Sequence, residues 1–486
     1  MSSVRRSLLL SAVDSYVGFA VQLASTVIIA RVLSPHEIGV FAVAAVFSAL
    51  ASMFRDFGVA EYLIQEKNLG RDQIAAALTL NIAVSWLMAL AMYVGGPLAA
   101  GFYGQPAVAD VMRVQALGFL MVPFGAVTMA YLRRELQFAP QLVCNITGTL
   151  TGFGVAVGMA LSGFGSLSLA WSTVASIAVT VTLSLFFRPQ SFPRWPGITG
   201  LAQVFHFSKF ASAMYIVSQL GKGLPEMIIG RAAGMVEVAM FSRGGGLVQM
   251  FRSLAMRPVS LVCMPYLARS ERESGSMLPA YLKSVSYLTA VGWPAMAVLG
   301  LLAFSAIRIV YGPQWDAAVP LAQLLCAAFA LDLVHSMSRE ALLSRGQARE
   351  ANRLELAMLA LQAVGLMAVL PFGLAGAAWG VAAAAGAGLV LSQRALQRSM
   401  GLSWADLASA CRPSLLLCAG SVAPVAAWVG WRGVGPDNYL AVGLLGGAAT
   451  VLAWLLVARW LRHPILSELQ PLATRLPPGV RRIILP

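Results

Sequence analysis

Apolar segments of about 20 residues recur along the whole chain and are separated by short polar turns. Each segment is long enough to cross a hydrocarbon core of roughly 30 Å as an α-helix. The pattern therefore predicts an all-α integral membrane protein with about 14 transmembrane helices. We place them at residues 8–30, 39–57, 75–98, 110–131, 140–161, 166–187, 207–229, 237–262, 284–305, 317–337, 354–371, 374–393, 408–430 and 440–458.

Composition excludes a soluble protein. Of the 486 residues, 58% are hydrophobic and only 11% are charged, whereas soluble domains have about 25% charged residues. The net charge of +14 is spread over short basic clusters between apolar segments. This distribution is typical of membrane topology signals and disfavours a nucleic-acid partner.

The basic residues also predict the orientation, because Lys and Arg accumulate on the cytoplasmic side of a membrane. With the N-terminus inside, most of the 34 Lys and Arg residues fall on the inner side. Both termini are therefore predicted to be cytoplasmic. The apolar run after Arg5 and Arg6 is interrupted by Asp14 and continues to Ala30, which indicates a retained first helix instead of a cleaved signal peptide.

Short motifs return in the same order along the chain, at offsets of 200 and then 208 residues. Because the offset covers six predicted helices, an even number, the two copies enter the membrane in the same direction and form a parallel repeat. We predict six-helix bundles at 1–187 and 207–400, a cytoplasmic linker at 188–206, two further helices in 401–462 and a basic cytoplasmic tail at 463–486. The matching motifs are Ile28-Ile29-Ala30-Arg31 with Ile228-Ile229-Gly230-Arg231, Glu37 with Glu237, Tyr103-Gly104 with Tyr311-Gly312, and Phe164-Gly165 with Phe372-Gly373.

Three arginines lie within the predicted helix 237–262: Arg243, Arg252 and Arg257. A charge at the bilayer centre costs about 2.5–3.5 kcal/mol, so such residues usually face a cavity or a partner. Arg243 and Arg257 share a helix face, and Arg252 points nearly opposite. We predict a cationic wall that binds an anionic head group, because guanidinium grips phosphate in a fork geometry. The alternative is snorkelling to the membrane edges, especially for Arg257.

Other polar residues give less specific signals. Lys222 and Glu226 are an i,i+4 pair, and a structural salt bridge and a gating or ion-coupling pair both remain open. Asp14 belongs to a polar stripe on the first helix, which predicts a cavity-lining face. Arg55, at the inner end of the second helix, is either an entrance contact for substrate or a local partner of Asp56.

No motif for catalysis or a cofactor accompanies these charges. The four histidines and five cysteines lack metal-ligand or redox spacing, so no metal or cofactor is predicted. The chain has neither a phosphate-binding Walker motif nor a nucleophile elbow. It also lacks a large outer loop for a catalytic site, which disfavours an enzyme such as a glycan polymerase or ligase.

The segment Ala30-Arg31-Val32-Leu33-Ser34-Pro35-His36-Glu37-Ile38-Gly39 resembles the "ARxLSPxExG" opening of the polysaccharide transporters. These are oligosaccharide-lipid flippases of the multidrug/oligosaccharidyl-lipid/polysaccharide exporter superfamily. The resemblance spans nearly the whole chain. Supporting motifs are Asp56-Phe57-Gly58, Ile228-Ile229-Gly230-Arg231, Phe241-Ser242-Arg243 and Tyr311-Gly312-Pro313-Gln314-Trp315.

The resemblance implies a flippase that exports undecaprenyl-diphosphate-linked oligosaccharide across the bacterial cytoplasmic membrane by alternating access, for exopolysaccharide, capsule or O-antigen synthesis. Expected partners are the lipid-linked oligosaccharide, membrane lipid, and a glycan polymerase or chain-length regulator. In related flippases the last two helices form an apolar groove for the lipid tail. Glu226 stands where the family often has Asp, so ion coupling there is an extrapolation. Alternatives are a peptidoglycan-precursor flippase and a cation-coupled drug antiporter, and the excess of basic residues disfavours the latter.

Overall fold

The computed structural model describes residues 2–56, 58–66, 69–189, 192–193 and 195–466. Within these residues the regular structure is helical, with two short 3₁₀ segments at Pro313–Ala318 and Leu370–Phe372. The α-helices are α1 (Ser2–Val32), α2 (Pro35–Asp56), α3 (Val59–Gln65), α4 (Arg71–Tyr103), α5 (Pro106–Arg134), α6 (Phe138–Leu161), α7 (Ser166–Phe186), α8 (Leu201–Ala232), α9 (Met235–Ser274), α10 (Leu278–Leu301), α11 (Ala303–Val310), α12 (Val319–His335), α13 (Ser338–Ser344), α14 (Ala348–Val369), α15 (Gly373–Met400), α16 (Trp404–Arg432) and α17 (Tyr439–Trp460).

The predicted all-α membrane fold is confirmed. In the described part of the chain, 12 segments are long and apolar enough to cross a membrane. They correspond in order to 12 of the predicted helices. The two remaining predictions, 207–229 and 237–262, coincide with α8 and α9, whose side chains are described only in part. The count of 14 spans therefore stays a prediction.

The first compact unit, Met1–Ala239, contains α1–α8 and the beginning of α9. Its helices pack in pairs, α4 on α5, α6 on α7, and α1 on α6. Small residues bring α6 and α7 close together: a Cβ at Gly148 would overlap the Thr180 hydroxyl, and one at Gly152 would lie 3.0 Å from the Ser176 Cβ. Close approach of this kind drives helix association in membranes, where no hydrophobic effect acts between helices.

Described residues of the segment between α7 and α8 pack against helices of this first unit. The Thr79 hydroxyl donates to the Gly197 carbonyl at 2.6 Å. Phe192 is 3% exposed and its ring lies edge-on to Tyr131, with the ring centroids 4.8 Å apart. Helix α8 begins at Leu201, six residues before the predicted start at 207.

The second compact unit, Met240–Pro486, contains the rest of α9 and α10–α17. In it α10 packs on α12 and α16, α15 packs on α12 and α14, and α16 packs on α17. A capping box begins α16: Asp406 accepts from the Ser403 amide at 3.0 Å, and the Ser403 hydroxyl accepts from the Asp406 amide at 3.1 Å.

The boundary between the two units lies inside α9, so helix contacts group α8 with the first unit. The predicted division into bundles at 1–187 and 207–400 rests on repeated motifs and not on contacts. It stays a prediction, as does the parallel repeat itself.

Candidate functional site

Arg243 lies in the third turn of α9. Its side chain faces two aromatic rings of the second unit. Its guanidinium carbon is 5.3 Å from the Tyr311 ring centroid and 5.5 Å from that of Trp315. Tyr311 is 1% exposed and Trp315 is fully buried. Both distances are within the range of a cation–π interaction.

The segment that carries these rings is held rigidly. Arg308, in α11, makes a bidentate salt bridge to Asp316, with Nε–Oδ1 at 2.9 Å and Nη2–Oδ2 at 2.6 Å. Gly312 has a φ of 101°, a conformation that favours glycine, and its carbonyl accepts from the Trp315 amide at 3.3 Å. The aromatic surface is therefore formed before any ligand binds.

Arg243 has no counter-ion among the described residues. Its Nε is buried and has no hydrogen-bond acceptor there, and none of the ion pairs in this part of the chain includes it. A buried charge that is balanced only by aromatic faces keeps a net attraction for anions. The site can therefore bind an anionic group.

Arg252 lies farther along α9 and is also placed over an aromatic ring. Its guanidinium carbon is 5.5 Å from the Phe329 ring centroid in α12. Although Arg252 was predicted to point nearly opposite to Arg243, both side chains reach aromatic residues of the continuous segment 311–335. The side chain of Arg257 is outside the described residues.

The structure reveals an ionisable pair near Arg252 that the sequence analysis missed. Asp332 and His335 are one turn apart in α12, with Oδ1 and Nε2 separated by 3.7 Å. The signal was an Asp and a His at i,i+3 spacing inside an apolar segment. Metal-ligand spacing alone does not reveal such a pair.

The remaining predicted site residues lie in the first unit. Glu226, in α8, has a buried Oε2 without a partner among the described residues, while the side chain of Lys222 is not described. Asp14 accepts a hydrogen bond of 2.9 Å from the Asn145 amide, so it links α1 to α6. The Arg55 guanidinium lies 5.6 Å from the Phe119 ring centroid, and the Asp56 side chain is outside the described residues.

Residues 28–320 match the model of a family described as polysaccharide biosynthesis protein. That match covers more than half of the chain. The chain belongs to this family.

Curated relatives of this polysaccharide biosynthesis protein agree with the assignment. The chain is 22% identical over 321 residues to the lipopolysaccharide biosynthesis protein WzxC of Escherichia coli, covering 65% of each protein. It is 23% identical to the teichuronic acid biosynthesis protein TuaB of Bacillus subtilis, covering 67% of this chain and 68% of TuaB. It is 26% identical to the succinoglycan biosynthesis transport protein ExoT of Rhizobium meliloti, covering 63% of this chain and 62% of ExoT.

Two solved structures share the fold. A structure of the lipid II flippase MurJ in an inward closed conformation aligns with a TM-score of 0.75 at 13% identity, covering 94% of this chain and all of that one. An inward-facing multidrug resistance transporter of the MATE family aligns with a TM-score of 0.58 at 14% identity, covering 82% of this chain and 99% of the other. At these identities the two structures show a shared fold alone. The family match and the membrane-spanning helices together indicate a multi-pass membrane protein of polysaccharide biosynthesis.

Proposed function

We propose that this protein is a flippase for undecaprenyl-diphosphate-linked oligosaccharide. It moves its substrate from the inner to the outer leaflet of the bacterial cytoplasmic membrane by alternating access, and it serves the synthesis of exopolysaccharide, capsule or O-antigen. Its termini both lie in the cytoplasm. A glycan polymerase or chain-length regulator receives the exported product.

The observation that carries this proposal is the uncompensated charge of Arg243. A diphosphate and its hydrated sugars cannot enter hydrocarbon unless protein groups replace the water they lose. A guanidinium without a carboxylate partner can supply that compensation to a phosphate. Arg252, which is accessible beside Phe329, adds a second positive charge on the same helix, and we assign Arg257 to this set as well.

An apolar cavity next to Arg243 supports a lipid-linked substrate. Its volume is about 490 Å³, and it is lined by residues of α9, α10, α11 and α17. Leu247, one turn after Arg243, lines it together with Ile309, which is two residues before Tyr311. Gly447 and Thr450 of α17 form the opposite wall. An anionic head at Arg243 and an isoprenoid chain in this cavity would lie side by side.

The first unit supplies the other proposed elements. Lys222 and Glu226 gate the pathway or couple it to an ion, and the buried, unpaired Glu226 Oε2 supports a role for that carboxylate beyond local structure. Asp14 and Arg55 line the entrance at the inner side.

A peptidoglycan-precursor flippase is the second candidate, favoured by the likeness to the lipid II flippase structure. Its substrate also carries a diphosphate, so the two candidates share the chemistry of Arg243. The relatives named for lipopolysaccharide, teichuronic acid and succinoglycan favour the oligosaccharide.

Complementation tests the proposal and separates the two candidates. The gene should restore surface glycan in a strain that lacks its oligosaccharide flippase, and it should not rescue a strain depleted of its peptidoglycan-precursor flippase. Arg243→Ala should reduce surface glycan more than tenfold at equal protein abundance, since a head-group contact of a few kcal/mol is lost. Normal export by Arg243→Ala would refute the assignment of Arg243.

A further inference from the structure

The unexplained feature of the second unit is a cluster of three ionisable side chains shared by α9 and α12. His335 is the last residue of α12 and is 7% exposed. Its Nε2 faces Asp332 Oδ1 at 3.7 Å and makes no hydrogen bond to any described residue. Arg252 approaches from α9 over Phe329, which precedes Asp332 by one turn, and it interacts electrostatically with His335.

Neutral groups complete the surroundings of the imidazole. Helix α15 places Gly388 against the ring, where a Cβ would lie 3.8 Å from Cε1 and Nε2, and the backbone of Ala385 also interacts with the ring. One turn beyond Gly388, the buried Ser392 hydroxyl has no partner among the described residues. Asp332 and Arg252 are the charged groups, among those described, that interact with His335.

These three groups have two charge arrangements. When His335 is neutral, we expect the Asp332 carboxylate to attract the Arg252 guanidinium. In the structure this guanidinium lies over Phe329 and forms no ion pair with Asp332. When Nε2 binds a proton, the His335 imidazolium forms an ion pair with the Asp332 carboxylate. The positive charge of the imidazolium also repels the Arg252 guanidinium. The attraction of Asp332 for the guanidinium is then lost, and the guanidinium can bind an anion instead.

We propose that Asp332 and His335 form a proton-binding site that controls whether Arg252 binds the anionic head group of the substrate. This inference rests on the proposed flippase function and adds a regulatory ligand, the proton, to the same site. Proton binding and head-group binding favour each other, because linkage is reciprocal. Intramembrane Asp and His residues are the usual components of such proton sites.

The first experiment measures the proton itself. The chain has four histidines, so ¹⁵N-histidine labelling in nanodiscs gives few imidazole signals, and His335→Gln assigns the one from His335. Between pH 5.5 and 8, Asp332→Asn should lower the protonated fraction of His335, and Arg252→Gln should raise it. If His335 does not change its protonation in this range, or if neither variant alters it, the inference is wrong.

The second experiment measures the link to the head group, with farnesyl diphosphate as the probe. Wild-type protein should bind it at least about fivefold more tightly at pH 6 than at pH 8, a typical coupling between two sites. His335→Gln should lose this dependence. Asp332→Asn should bind tightly at both pH values, since Arg252 has no carboxylate to compete with the probe. Arg252→Gln should bind weakly at both.

His36→Gln is the matched control, because His36 is exposed in the first turn of α2. It should keep the wild-type dependence, including any part that comes from ionisation of the probe. If His335→Gln behaves like His36→Gln, the inference is wrong and the flippase proposal is unaffected. If wild-type protein binds no probe at any pH, the head-group site and this inference both fail.

Discussion

Two helix contacts, one in each compact unit, share a tyrosine but differ in charge. We call the contact around Tyr103 the first corner and the contact around Tyr311 the second corner. In the first, Val43 is fully buried, and its methyl would lie 3.0 Å from a Cβ at Gly230. The Tyr103 hydroxyl donates to the Met227 carbonyl at 3.3 Å. In the second, the residue 200 positions after Val43 is Arg243, and Tyr311 faces its guanidinium.

A second exchange accompanies the first. At the predicted repeat offset of 208 residues, Ala107 in the first corner aligns with Trp315 in the second. The second corner therefore gains both a cation and an aromatic ring to hold it. Under the predicted repeat, a tight helix contact in the first unit is therefore paired with a candidate anion site in the second.

Placing the charge in the first corner should have the largest effect. Val43→Arg would bury a guanidinium between Gly230 and Tyr103 without an indole or a counter-ion. We expect a loss of about 3–5 kcal/mol, the cost of an uncompensated buried charge. Membrane abundance and thermal unfolding of the purified protein measure it. Val43→Met is the control for size, and an Arg variant as stable as the Met variant would contradict the comparison.

The next effect concerns the close approach of the N-terminal turns of α2 and α9. Gly39 lies against the Met235 carbonyl, and a Cβ there would overlap it, whereas the residue 200 positions later, Ala239, carries a Cβ and is fully buried. Gly39→Ala should lower the free energy of unfolding by roughly 1–3 kcal/mol, as overpacking does. Gly18→Ala is the control, since a Cβ at Gly18 meets nothing within 4 Å. Equal melting temperatures for the two variants would show that the N-terminal turns of α2 and α9 accommodate the added methyl group without loss of stability, which would contradict this prediction.

The second corner is also supported by α16 and α17, the two helices that lie outside the predicted repeat. Gly443 of α17 packs on Ile309, next to Tyr311, and after α17 the chain is fixed by His463, which is 2% exposed. His463 Nδ1 accepts from the Ile465 amide at 3.2 Å, and Nε2 lies 3.5 Å from the Ser414 hydroxyl.

This support should weaken in acid. Burial lowers the pKa of His463 below its usual 6.5. The unfolded chain then binds a proton before the folded one does, so the contribution is complete above about pH 6.5 and is lost as pH falls below it. Thermal stability should decline over this window in wild-type protein and decline less in His463→Gln. The same slope in both proteins would exclude His463 as the cause.

The smallest effect should come from the shared tyrosine. Tyr103→Phe removes one hydrogen bond to the Met227 carbonyl, so we expect a loss of about 1 kcal/mol and normal glycan export. Thermal unfolding and surface glycan measure these two properties. A large export defect in Tyr103→Phe would show that the first corner also acts on substrate.

Apolar segment length predicted most of the fold, because membrane helices must satisfy their own backbone hydrogen bonds. The charged residues of α9 were also recognisable, since a charge within an apolar segment is rare. What the sequence could not provide was the partners of those charges. Phe329 and His335 are about 80 residues from Arg252, and their contact depends on how α9 packs on α12. Trp315 could have been noticed, because it is a large aromatic residue four positions after Tyr311, whereas Ala107 stands four positions after Tyr103.

Arg243→Met is the substitution that separates charge from packing. Methionine is apolar and adaptable, so it can fill the space between Tyr311 and Trp315 without a buried charge, and stability should be kept or increased. A merely structural role for Arg243 would then leave transport intact.

The most direct test is flipping in proteoliposomes. A fluorescent undecaprenyl-diphosphate oligosaccharide is introduced in one leaflet, and a membrane-impermeant quencher reports its appearance in the other. Wild-type protein and Val43→Ala should equilibrate the substrate, and Arg243→Met should remain at the rate of protein-free liposomes. If Arg243→Met flips the substrate at the wild-type rate, the uncompensated charge of Arg243 is not what moves the diphosphate, and the account is wrong.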